Sequence, residues 1–317
     1  MISSLENCLV ADVGGTNARF ATIDSRGRLQ GVEVLATSDY AGPERAIAAY
    51  LEKAELKSVS AICFAIACPV KGETIYMPNN HWKFTRAHLE KSLGVPLLLI
   101  NDFRAQALCL RDFSEGGIQW LGGMRPSTDR MKVIIGPGTG LGVAMITPDG
   151  AVLSSEGGHM GFSPSSDHQM ALLSVLRRKY HRISLERVIS GQGLENLYWA
   201  NSVLSGEEVN LRAHEVTELA HEGDTLALKT IDDFFEIFAV ACGDMALAFG
   251  AEGGVYLAGG VMEKLACFVS EESFRFHFED KGRLADYCAA IPVGVVTLKN
   301  PGLLGCYAAL RQALVSA

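Results

Sequence analysis

Basic residues are in short supply: 28 Lys and Arg stand against 36 Asp and Glu, a formal net charge of −8 over 317 residues. That is the wrong sign for a surface that neutralises a phosphodiester backbone, so nucleic acid is not expected as a partner. An anionic small ligand stays possible, because backbone amides and a divalent cation neutralise phosphate locally. No uncharged apolar run approaches the ~18 residues of a membrane span, and residues 1–7 lack the basic start of an export signal. A soluble, cytoplasmic protein without a membrane partner is expected. The eight cysteines (8, 63, 68, 109, 242, 267, 288 and 306) form no CxxC pair and no close ligand cluster, which argues for reduced core residues and no zinc. The GxxxxGK[ST] phosphate loop is missing as well. Gly136, Gly138, Gly140 and Gly142 alternate out of register with GxGxxG and lead into a strand pattern instead of a helix, which excludes a dinucleotide fingerprint.

Glycine is plentiful instead: 33 residues, about a tenth of the chain against a usual ~7%, placed between apolar runs. Residues 8–13, 19–24 and 29–36 read as three strands in a meander, followed by a helix over 43–54, a buried strand over 59–67, a helix over 85–93 and a strand over 97–100. A helix begins at Phe103. A second meander runs over 131–136, 141–147 and 152–155. The two superpose at one offset: Gly15-Thr16 on Gly138-Thr139, Ile23 on Ile146 and Gly27 on Gly150. This reads as a duplicated unit or as a chance likeness of two meanders; duplication predicts two similar lobes. Helices are expected over 167–180, 212–221 and 224–249, the last with a core stripe of Leu228, Ile231, Phe234, Phe235, Phe238, Cys242, Met245 and Phe249. A strand over 255–258, a helix over 262–269, a strand over 293–298 and a helix opened by Pro301 complete an α/β pattern.

Several positions could carry chemistry. Asp12-Val13-Gly14-Gly15-Thr16-Asn17 ends a buried strand, where glycines admit a ligand and a carboxylate could hold Mg²⁺ directly or through water; a plain tight hairpin is the alternative. Asp102, after Asn101 at a strand's carboxyl end, reads either as a helix N-cap or as a general base that takes a hydroxyl proton. Glu156-Gly157-Gly158-His159 sets two polar side chains beside permissive glycines, and Glu186 precedes Ser190-Gly191-Gln192-Gly193. Such groups suit the hydroxyls of a polyol, while His159 alone also fits a structural histidine.

These fragments carry a resemblance. Asp12-Val13-Gly14-Gly15-Thr16-Asn17-Ala18-Arg19, Ala65-Ile66-Ala67-Cys68-Pro69, Ile100-Asn101-Asp102-Phe103 and Gly138-Thr139-Gly140-Leu141-Gly142 occur in one order. Glu156-Gly157-Gly158-His159, Glu186-Arg187-Val188-Ile189-Ser190-Gly191, Ala258-Gly259-Gly260 and Asn300-Pro301-Gly302-Leu303-Leu304-Gly305 follow. Together they resemble the bacterial glucokinases, ATP-dependent sugar kinases of the hexokinase and actin-like ATPase fold. The resemblance implies a two-lobed α/β, ribonuclease H-like fold, residues 1–110 with 300–317 and residues 111–299, with the active site in the cleft between them. It implies glucose and MgATP as ligands, Asp102 as the catalytic base, and Asn79, Asn101, Glu156, His159 and Glu186 on the sugar hydroxyls. Gly14, Gly15, Thr16, Asn17, Gly138, Thr139 and Gly140 would clasp phosphates, Gly259 and Gly260 would approach adenosine, and Asp12 would serve the Mg²⁺. A homodimer is compatible with it. The residues between Asn79 and Trp82 depart from the family pattern, as does Pro137, whose nitrogen cannot donate to phosphate. A kinase for another hexose or an amino sugar, a sugar-sensing repressor, and an actin-like filament or chaperone ATPase are the rival readings.

Overall fold

The computed structural model describes residues 5–68, 70, 72–77, 80–111, 117–124 and 126–315; Pro69 and Asn79 lie outside the described residues. The chain divides into two compact units, Met1–Ser114 with Leu298–Ala317, and Glu115–Thr297.

The first unit opens with β1 (Leu9–Val13), β2 (Asn17–Ile23) and β3 (Leu29–Ala36), then α1 (Pro43–Lys53), β4 (Ile62–Ile66), a β5/β6 hairpin (Thr74–Tyr76, Lys83–Thr85) and α2 (Arg86–Leu93). It continues with β7 (Leu97–Asn101) and α3 (Asp102–Arg111). Its main sheet has the order β3-β2-β1-β4-β7, with β1, β4 and β7 parallel. Side chains alternate across a strand. Leu9, Ala11 and Val13 therefore enter one core with Phe20, Tyr50, Phe64 and Trp82, which leaves Val10 and Asp12 on the opposite face. Pro43 starts α1 in the first helical position, and the Thr85 side chain caps α2, which stops at left-handed Gly94.

The second unit comprises β8 (Ile118–Trp120), β9 (Lys132–Pro137), β10 (Leu141–Ile146), β11 (Val152–Ser155), α4 (Asp167–Leu176), α5 (Gly191–Leu204), α6 (Ala213–His221) and α7 (Thr225–Phe249). It ends with β12 (Gly254–Leu257), α8 (Gly260–Leu265), α9 (Glu271–Glu279), α10 (Ala285–Ala290) and β13 (Val293–Val296). Its sheet order, β11-β10-β9-β12-β13-β8, repeats the first sheet's pattern of an antiparallel meander joined to two parallel strands. The two ladders differ by one residue: Val13 faces Ala18, whereas its equivalent at the shared offset, Gly136, faces Gly142 instead of Leu141. Of the expected α7 stripe, Ile231, Phe234, Phe235, Phe238, Cys242 and Met245 are buried, while Leu228 and Phe249 at its ends are partly covered.

The chain then returns to the first unit with α11 (Pro301–Val315), which packs on β1 and α3. A methyl group on Gly305 would stand 1.7 Å from the Ala105 carbonyl oxygen, so these two helices cross at backbone contact. One turn earlier, Gly302 lies against the Asp12 carboxylate. Among the described residues no helix is long and apolar enough to cross a membrane.

Candidate active site

In the first unit, the parallel strands β1, β4 and β7 end in one row, Val13 beside Ile66 beside Asn101. Asp12 stands one residue before that row and Asp102 one residue after it. The helix cap at this point is Asn101: its Oδ1 accepts from the amides of Phe103 (3.0 Å) and Arg104 (3.1 Å). Asp102 is thereby relieved of the capping role that the sequence allowed it. Its Oδ1 accepts from the Asn101 side-chain amide (2.9 Å) and from Phe103 N (2.9 Å), and no described residue donates to Oδ2. Burial, and then the negative charge of Asp12, push the Asp102 carboxyl up to about 7; the bonds to Oδ1 oppose that rise. Burial also raises Asp12, against the pull of Arg19 4.0 Å away, and the Asp12 side chain keeps 23% of its surface open to a ligand.

The loop after β1 is held from behind. Gly14 N donates to Asn17 O (2.9 Å), and the Gly14 carbonyl accepts from the Asn80 side-chain amide (3.2 Å). The carbonyls of Gly15 and Thr16 both accept from the Thr37 hydroxyl (3.0 Å each). In a trans peptide the N–H points opposite to the C=O. Drawing these carbonyls to one side turns the amides of Gly15 and Thr16 to the other, and no described residue accepts from either. Two adjacent free amides make a concavity for an anion. Neither Thr37 nor Asn80 is singled out by the sequence.

The second unit builds a similar loop after β9. Gly138 N donates to Gly140 O (2.8 Å), and the amides of Thr139 and Gly140 find no acceptor among the described residues. The free pair thus falls one residue beyond the offset, as the ladder does. The Gly138 carbonyl accepts from Gly191 N (2.9 Å), and Gly259, at φ 92°, sits where a methyl group would meet the Pro137 carbonyl at 2.5 Å. Pro137 closes β9, so its missing N–H falls outside the free pair. Gly260 next to it is open.

Glu186 closes this loop on its flank. Its Oε2 accepts from Leu141 N (3.0 Å) and lies where a Gly140 side chain would be. On the carbonyl side of the same Leu141 sits Gly158, where a methyl group would stand 2.1 Å from the oxygen. That contact brings the turn bearing Glu156 and His159 to the loop that Glu186 touches. The chain segments are fastened together by Arg182 donating to the His159 carbonyl (2.9 Å) and Leu185 N to the Met160 carbonyl (2.8 Å). Both Glu156 and His159 are exposed, which removes the core-histidine alternative for His159.

An oxygen-seeking cation fits this donor set. Asp12 offers a partly exposed carboxylate beside a second, protonatable carboxylate, and the free amides of Gly15 and Thr16 in the same unit suit a phosphate. With a single strand-borne carboxylate, Mg²⁺ would keep most of its shell from phosphate and water. Among the described residues no three His, Cys, Asp or Glu side chains gather into a metal cage.

The glucokinase family model matches residues 9–313. A glucokinase of Hahella chejuensis is 40% identical over 98% of this chain and 99% of its own length. One from Chromohalobacter salexigens is 39% identical over 96% of this chain and 97% of its own. The solved glucokinase of an Antarctic psychrotroph superposes with a TM-score of 0.84 at 31% identity, covering 96% of this chain and 98% of that one. At fold level alone, a ROK family glucokinase from Streptomyces griseus, solved with glucose and AMPPNP, matches with a TM-score of 0.69 at 21% identity over 96% and 99% of the two chains. The full-length match, on a duplicated α/β fold of the actin-like ATPase kind, shows that this chain belongs to the glucokinase family.

Proposed function

We propose that the chain transfers the γ-phosphoryl group of ATP to the 6-hydroxyl of D-glucose, giving glucose 6-phosphate and ADP. The observation that carries this reading is Asp102, whose Oδ2 is free of described donors and whose carboxyl is raised to about 7 on a chain matched to glucokinases along nearly its whole length. A base whose pKa lies near the working pH combines a useful ionised fraction with real basicity. Asp102 Oδ2 takes the proton as the sugar oxygen bonds to phosphorus and the bond from phosphorus to the β,γ-bridging oxygen breaks, leaving ADP. Asn101 has both lone pairs of its Oδ1 engaged in the cap, so it orients the sugar through its one remaining side-chain N–H.

Glu156, His159 and Glu186 would accept or donate hydrogen bonds at the other sugar hydroxyls, and Asn79 would add to them. The free amides of Gly15, Thr16, Thr139 and Gly140 would hold phosphate oxygens, with Gly259 and Gly260 allowing adenosine close. Asp12 would hold Mg²⁺ through water, and the ion, when bound, offsets negative charge on the phosphates. Phosphoryl transfer leaves little covalent work for protein groups, so the residues act by position and charge. None of the eight cysteines is in a disulfide and seven of them are buried, which supports the cytoplasm as the site of action.

ADP release, coupled to a spectrophotometric readout and measured over a panel of hexoses and amino sugars, tests this assignment. Glucose should give the highest kcat/KM. A rate with glucose no greater than the sugar-free rate would reject it, and a higher kcat/KM with another sugar would move the assignment to that sugar.

A further inference from the structure

Glu186 sits in the middle of a three-residue 3-10 turn, Leu185–Arg187, which is too short to hold itself in place. Leu185 N donates to the Met160 carbonyl (2.8 Å), and the Leu185 carbonyl accepts from Val188 N (3.0 Å) and Ile189 N (2.7 Å). Past Glu186 two side chains take over. The Ser190 hydroxyl donates to the Glu186 carbonyl (2.7 Å), and Asn196 donates through Nδ2 to the Arg187 carbonyl (2.9 Å). A peptide group is planar, so each bond sets the direction of a whole unit, and together they fix the backbone from which the Glu186 side chain leaves. Its Oε2 then meets Leu141 N at the second glycine loop. The Arg187 oxygen is an obligate acceptor, so the amide end of Asn196 must face it, and Oδ1 is left to the Tyr180 hydroxyl (3.0 Å). The Arg187 guanidinium lies over the Tyr180 ring, 4.3 Å from its centre. The contacts close on themselves: Arg187 covers Tyr180, Tyr180 orients Asn196, and Asn196 holds Arg187. Asn196 is only 4% exposed and stands on α5 between the core residues Leu194 and Leu197. Burying an amide is unfavourable unless its bonds are made, and the bond its donor end makes is to the turn that bears Glu186.

We infer that Asn196 is a positioning residue for Glu186, with Tyr180 as its orienting partner. The inference rests on the reading of Glu186 as a sugar ligand under the proposed function. Loss of the Asn196 amide leaves the Arg187 carbonyl without its donor, frees that peptide to turn, and loosens the aim of Glu186 at Leu141 N and at the sugar. Ser190 acts on the same turn but also caps α5 through Gly193 N (2.9 Å), so a change there would disturb the helix as well. Asn196 lies in the second turn of α5 and has no part in its cap. A group that holds the ground state and the transition state alike shows in KM and leaves kcat, so the misplacement of Glu186 should be read there.

The test is steady-state kinetics of the whole chain with ATP and glucose, run as a double-mutant cycle with Glu186→Ala. Asn196→Ala should raise KM for ATP and for glucose by ~3–10-fold, with kcat within about threefold of wild type. Tyr180→Phe, which loses only the hydroxyl, should raise both KM values by ~2–3-fold and serves in the cycle if Asn196→Ala does not fold. In the Glu186→Ala background either change should add less than ~1.5-fold, because the side chain it positions is gone. Increments that persist undiminished in that background, or a lowered melting temperature with both KM values at the wild-type level, would make Asn196 purely structural and overturn the inference. A Glu186→Ala enzyme with both KM values unchanged would overturn it too, and would remove Glu186 from the sugar while sparing glucose phosphorylation by the chain. Absence of glucose phosphorylation by the wild type would reject this inference and the proposed function together.

Discussion

Replacing Asp102 by Asn tests chemistry and electrostatics at once, because the two readouts move in opposite directions. The asparagine is isosteric, and its Oδ1 can still accept from Phe103 N, while the cap on α3 belongs to Asn101 and stays intact. With the carboxyl at about 7 in the fold against an ordinary 3.8, folding binds a proton between those values. A raised carboxyl pKa gives stability that is fully present below the unfolded value and is lost as pH rises through the folded one. About three pKa units at 1.36 kcal/mol each put the cost of ionising Asp102 near ~4 kcal/mol at pH 8. The opposing effect, a carboxylate at the start of a helix, contributes only ~0.3–1 kcal/mol, so the burial cost wins. Asp102→Asn should therefore melt higher than the wild type at pH 8 and alongside it at pH 4. Its kcat should fall ~10²–10⁴-fold, with glucose affinity nearly kept. Thermal unfolding at the two pH values, paired with steady-state kinetics and glucose calorimetry, reads all three. A variant with kcat within threefold of wild type would refute the general base, and one that melts lower at pH 8 would refute the electrostatic argument.

Asp12→Asn removes the charge that helps to raise Asp102, so the acid limb of the kcat/KM profile, expected near pH 7 in the wild type, should move to lower pH while the Mg²⁺ requirement rises; an unmoved limb would separate the two carboxylates. Glu186→Ala deprives Leu141 N of its acceptor and should raise KM for both ATP and glucose by ~10-fold, whereas Glu186→Gln, which retains an acceptor, should keep KM for ATP within about threefold, as steady-state kinetics will read. Gly305→Ala drives a methyl group into the Ala105 backbone and should cost ~3 kcal/mol or more, measured by urea unfolding; a loss below 1 kcal/mol would mean that α3 and α11 separate easily.

Much of the fold was legible because the strands are bounded by glycines and turns. β3 and β11 begin and end where the pattern put them, and the shared offset of the two meanders pointed to the repeated sheet order. The hairpin β5/β6, with three residues per strand, is too short to show a period. α5 has no counterpart in the sequence reading, since two glycines in four residues, Gly191 and Gly193, speak against a helix. Both answer to tertiary contacts: Gly191 donates to Gly138 O, and a methyl group on Gly193 would stand 2.5 Å from the Val188 backbone. The expected helix over 262–269 breaks into α8 and a 3-10 turn at Ala266–Phe268, and α9 and α10 went unread. In the candidate site, glycine loops and strand-end carboxylates announce themselves by residue type and position. Thr37 and Asn80 do not: they act on carbonyls 22 and 66 residues away, a relation that exists only once the chain is folded.

The placement of α11 bears on the order in which the protein can be made. Chains emerge from the ribosome amino end first, and domains generally fold as units during synthesis. The second unit is one continuous stretch, Glu115–Thr297, and can complete itself as it emerges. The first unit cannot: the helix that covers the Asp12 face of β1 and packs on α3 emerges only after the second unit is finished. Through that interval the Asp12 face of its sheet has no cover from α11, and a nascent chain stalled before Pro301 should display it to chaperones.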